Sequence, residues 1–109
     1  MTEFRLYILQ RVTAAVLAPL VLVHLGLIVF AVRDGLSAAE ILGRTQGSVG
    51  WALFYGLFVL AASIHAPIGL ANVFREWIGW RGPRLVAAMA FFGLLLLGLG
   101  LRAVWAVTA

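Results

Sequence analysis

A chain of 109 residues that is 64% hydrophobic and only 11% charged has too little polar surface to cover a soluble fold, so residues 1-109 read as one small integral membrane domain. The net charge of +4 does not signal a nucleic-acid partner: all eight basic residues are Arg, and most lie within a few residues of an apolar span, where they anchor a helix in the lipid bilayer. No cysteine is present, which excludes disulfides, thiolate metal sites, cysteine-ligated Fe–S clusters and c-type haem attachment within the chain.

The first apolar span covers about residues 7-32. It is too long for a signal-peptide core and carries Arg11 and Pro19, so it reads as a retained helix. The connection after it places Ser37 and Glu40 at capping-box spacing, which predicts a short interfacial helix. The second span covers about residues 49-74 and contains the run Ala61-Ala62-Ser63-Ile64-His65-Ala66-Pro67-Ile68-Gly69. A tight connection, Trp80-Arg81-Gly82-Pro83, sets Pro83 at the start of the third helix, over about residues 85-107. Gly93, Gly98 and Gly100 are expected to let that helix approach its neighbours. Each span meets the roughly 20 residues a helix needs to cross a bilayer, and three such segments cannot close a barrel. The expected fold is therefore an all-α membrane protein with three transmembrane helices.

Arg5, Arg11, Arg75, Arg81 and Arg84 fall at the amino end and the second connection, against Arg33, Arg44 and Arg102 opposite. The richer side is expected in the cytoplasm, with the amino terminus in and the carboxyl terminus out. Trp51, Trp77, Trp80 and Trp105 lie at segment ends, where indoles favour the headgroup layer.

An ionisable ring in hydrocarbon is costly unless paired, hydrated or metal-bound, which makes His65 the leading functional candidate. Ala61 and Gly69, one turn to either side, suggest a shallow recess where a flat macrocycle could approach. Counted from the cytoplasmic end at about 1.5 Å per residue, His65 lies roughly 14 Å in and His24 roughly 25 Å in, too unlike in depth to share one iron. An opposite axial ligand for His65 would come from another chain. Plainer roles stay open. His65 could donate to the Ser63 carbonyl that Pro67 deprives of its helical donor, His24 could be an interhelical hydrogen bonder or serve a second haem, and Arg11 could snorkel to headgroups.

The segment Tyr7-Ile8-Leu9-Gln10-Arg11-Val12-Thr13-Ala14 resembles the start of the first helix in the small membrane-anchor subunits of succinate dehydrogenase and fumarate reductase, where an Arg precedes Ser or Thr by two residues and a small residue follows. Ser63-Ile64-His65-Ala66-Pro67-Ile68-Gly69 is similar to the haem-ligand helix of the same subunits, and the resemblance covers nearly the whole chain. It implies half of a heterodimeric haem-binding helical bundle in which a second small membrane-anchor subunit completes the site for one haem b. By resemblance His65 is the axial iron ligand given by this chain, Arg11 approaches a haem propionate or the quinone, and Arg5 helps neutralise the propionates. Guanidinium offers paired donors to such carboxylates. Glu76 stands where the family often has an acidic residue, and could pair with Arg11 or relay protons. Two positions depart from the family: Trp77 stands where one subunit has a quinone-bonding Tyr, and Tyr7 where the other has Ser or Thr. Both are quinone candidates here with Arg11.

The resemblance thus implies the cytochrome b anchor of succinate:quinone oxidoreductase (respiratory complex II) in a bacterial inner membrane. It would be non-catalytic alone, with FAD and Fe–S clusters confined to a flavoprotein subunit and an iron–sulfur subunit. The alternative is a haem-free structural or transport subunit with His65 as an interhelical hydrogen bonder. Proton-coupled transport is disfavoured because no Asp or Glu lies deep within a span.

Overall fold

The first helix, α1 (Glu3–Asp34), starts four residues before its apolar run because Thr2 caps it: the Thr2 hydroxyl accepts from the Arg5 N–H at 3.2 Å, and Glu3 faces the positive end of the helix dipole. These details belong to a computed structural model that describes residues 2–109. Pro19 sits within α1 without ending it, as proline does in membrane helices. Gly35, at φ 145°, closes the helix with its N–H on the Ala31 carbonyl.

The expected interfacial helix is present as α2 (Ala38–Thr45), and its capping box is closed in both directions. The Ser37 backbone N–H and hydroxyl both donate to Glu40 and hold its carboxyl below the usual range. This lowered value means the cap helps stability above the ordinary carboxylate pKa and loses that help as pH falls through the lowered one. Arg44 ties α2 back to the end of α1, donating to Asp34 at 3.1 Å and to the Gly35 carbonyl at 2.9 Å while its guanidinium lies over the Phe30 ring.

Helix α3 (Val49–Val73) begins on a Ser48 cap and runs on into a π-helical turn over Phe74–Ile78 that the sequence reading did not foresee. Gly79, at φ 75°, stops that turn, a conformation that only glycine adopts without strain. Helix α4 (Pro83–Thr108) starts with Pro83 in its first turn, where the missing N–H costs nothing. The three long helices are each long and apolar enough to cross a bilayer, and the molecule measures 46 × 23 × 22 Å. Its long axis exceeds the roughly 30 Å thickness of a bilayer's hydrocarbon core. Large apolar side chains such as Leu22, Leu25, Leu94 and Leu99 lie exposed on the outside, as lipid as solvent allows.

The centre of the bundle is α3, with α1 packed on one side and α4 on the other. The α4 seam depends on Gly93 and Gly100. A Cβ on Gly93 would lie 3.0 Å from the Ser63 carbonyl oxygen and 3.1 Å from Pro67, and one on Gly100 would collide with the Val59 side chain. Gly98, expected to share this role, has open space around it and takes no part. Gly100→Val is therefore expected to pry the helices apart at a cost of about 1–3 kcal/mol, while Gly98→Val stays near wild type; detergent thermal melts of the two variants check this.

The exit of α2 closes the bundle at its far end. Thr45 Oγ1 donates to the Val107 carbonyl at 2.6 Å and the Gly47 N–H to the Thr108 carbonyl at 2.8 Å. These bonds satisfy carbonyls that the last turn of any helix leaves without partners.

Candidate functional site

Helix α3 turns His65 toward α1, where its Nδ1 lies 3.1 Å from the hydroxyl of Thr13. Thr13 is 5% exposed, and the same hydroxyl is 2.8 Å from the Leu9 carbonyl and 3.0 Å from that of Gln10. A threonine hydroxyl has one proton to give, and a carbonyl can only accept. The hydroxyl therefore donates to its own helix and receives the Nδ1–H of His65. That assigns the Nδ1-protonated tautomer and leaves Nε2 with a free lone pair, the form in which imidazole ligates a metal. The Ser63 carbonyl, the other acceptor open to His65, is not used; it backs onto Gly93 of α4.

One turn further along α3, Gly69 faces α1 rather than an empty recess. A Cβ there would stand 3.2 Å from Gln10 Nε2, so the glycine makes room for the Gln10 side chain. Gln10 Oε1 is buried without a hydrogen-bond partner among the described residues. Thr13 and Gln10 thus meet His65 and Gly69 along one seam. Among the described residues no three of His, Cys, Asp or Glu come together.

The other candidates gather at the same end of the bundle but stay on the surface. Arg11 is exposed, with its guanidinium 5.9 Å from the centre of the Tyr7 ring, a cation–π pair one turn apart. Arg5 is exposed near the start of α1. Trp77, 82% exposed, projects from the π-helical turn. Glu76 is exposed too, and among the described residues it makes no ion pair with Arg11; the pair that does form joins Arg44 to Asp34 at the opposite end. No hydrogen bond joins Arg11 or Tyr7 to Trp77 among the described residues, so any ligand between them would bridge separate surface groups.

His24 lies elsewhere. Its ring packs T-shaped against Tyr55 and Phe58, with centroids 5.9 and 5.4 Å apart, and among the described residues its buried Nδ1 has no hydrogen-bond partner, beside a cavity of about 340 Å³. It follows Thr13 by eleven residues on α1, about 16 Å along the axis, which keeps it well away from His65 in depth. Trp51, in the first turn of α3, stacks on Tyr55.

Sequence reasoning singled out His65 but did not assign a role to Gln10 or derive one for Thr13. Their signal was two polar residues three apart on an apolar helix, facing a His and a Gly four apart on the next.

The model of the succinate dehydrogenase/fumarate reductase transmembrane subunit family matches residues 2–101, and the chain belongs to that family. No curated protein and no solved structure matches it. The three apolar helices and the family together make the chain an integral membrane subunit of an oxidoreductase complex.

Proposed function

We propose that this member of the succinate dehydrogenase/fumarate reductase transmembrane subunit family is the cytochrome b anchor of a succinate:quinone oxidoreductase. It forms half of a heterodimeric haem-binding bundle with a second small anchor subunit, and holds the iron–sulfur and flavoprotein subunits to a bacterial inner membrane. The single observation that carries the haem role is the hydrogen bond from His65 Nδ1 to Thr13. It fits the chain for iron, because a neutral imidazole with Nδ1 engaged presents Nε2 as a ligand.

When bound, haem b supplies a one-electron carrier. His65 would hold the iron through Nε2, and the exposed guanidiniums of Arg5 and Arg11 would donate to the propionates. Arg11, with Tyr7 beside it and Trp77 from the π-helical turn, would line the quinone. A guanidinium and an indole N–H both stabilise a carbonyl oxygen as it gains electrons, and Tyr7 offers a ring face and a hydroxyl at the entrance.

The purified complex is expected to carry flavin and a reduced b-type spectrum when recovered through a tag on this chain. Recovery of the flavoprotein with no b-type signal would favour the haem-free alternative. The Arg excess at the amino end and the second connection supports a cytoplasmic amino terminus. A reporter fused after Ala109 should then be active only outside the cytoplasm, and cytoplasmic activity would reverse the orientation.

A further inference from the structure

Thr13 does more at His65 than fill space. A threonine in a helix ordinarily satisfies its hydroxyl by bonding back to the preceding turn, and Thr13 does so with the Leu9 and Gln10 carbonyls. That back-bond spends the hydroxyl's only proton and leaves a lone pair aimed across the helix interface at His65 Nδ1, 3.1 Å away. The residue is almost wholly buried, so water does not compete for either bond.

We infer that Thr13 is the positioning residue for the iron ligand: its hydroxyl fixes the tautomer and rotation of the His65 ring and, by accepting the Nδ1 proton, raises the basicity of Nε2. The inference rests on the haem reading above. An acceptor on Nδ1–H gives the ring partial imidazolate character, and a more basic ligand stabilises ferric over ferrous iron. Thr13 therefore holds the midpoint potential of the haem down. Gln10 and Gly69 set the distance over which it acts, because their contact one turn away fixes how closely α1 approaches α3.

Thr13→Val keeps the shape and removes the oxygen, whereas Thr13→Ser keeps the oxygen and removes a methyl group. In the assembled complex, redox titration followed at the haem band should show the valine variant shifted toward the ferrous form by about tenfold, roughly 59 mV upward for one electron. The serine variant should titrate with the wild type. An unshifted valine variant, or a serine variant shifted as far as valine, would mean that Thr13 only packs, and would overturn the inference while leaving His65 as a ligand. If the valine variant fails to assemble, Thr13→Ala, which also removes the oxygen, takes its place in the same titration: an upward shift supports the inference and an unshifted potential overturns it. A wild-type complex with no b-type haem would overturn both readings together.

Discussion

Replacement of His65 by Leu is expected to abolish the low-spin b-type spectrum of the complex, leaving it without haem or with high-spin iron. The chain has two histidines, and the structure separates them: His65 is bonded to Thr13 on one seam, and His24 is held between Tyr55 and Phe58 some 16 Å further along α1. His24→Leu should therefore leave the main spectrum in place. Leucine approximates the size of the imidazole, so α1 and α3 should still pack, and Thr13 can keep its bonds to the Leu9 and Gln10 carbonyls. Equal loss from both substitutions would defeat the separation by depth and make His24 a ligand as well. A full spectrum in the His65 variant would return that residue to a purely structural hydrogen bond.

The second large effect is expected at Arg11. Arg11→Lys retains the positive charge but loses the planar fork that can meet a quinone carbonyl or a propionate with two parallel bonds. It also replaces the flat group over the Tyr7 ring by a compact ammonium. Quinone reduction in the assembled complex should fall by on the order of tenfold, since charge remains and geometry is lost. Succinate oxidation measured with an artificial soluble acceptor should persist, because that electron path ends before the membrane. Wild-type rates in both assays would remove Arg11 from the quinone site and assign the pocket mainly to other chains.

Much of the bundle could be read from residues in order. The three spans and the Ser37–Glu40 capping box follow from apolar length and from side chains that satisfy local backbone groups, and both are physics of near neighbours. His65 was legible for the same reason, as an ionisable ring that hydrocarbon does not tolerate without a partner. The identity of that partner was not legible. Whether His65 donates to Ser63 on its own helix or to Thr13 on another depends on the rotation of α3 against α1, which a uniformly apolar helix does not encode in any hydrophobic face. The same blindness explains Gly98. Three glycines within eight residues look alike in sequence, but Gly93 and Gly100 fall seven apart on one stripe and Gly98 points away from it. Glu76 and Trp77 were legible as residues, but the π-helical turn that carries them was not, because nothing in Phe74–Ile78 disfavours an ordinary α-turn.

Opposite faces of α3 serve opposite neighbours: Ser63 and Pro67 meet Gly93 of α4, while His65 and Gly69 meet Thr13 and Gln10 of α1. The two pairs are offset by two residues, close to half a helical turn. Every residue of this chain assigned here to the iron therefore precedes α4, and none of the contacts among them passes through it. In the order of synthesis, the ligand and its hydrogen-bond partner are both made before the last helix enters the membrane. The nascent chain could thus pair His65 with Thr13 as a two-helix hairpin and dock α4 afterwards on the free face, a sequence that a stalled chain ending before Pro83 would expose to crosslinking between the two residues.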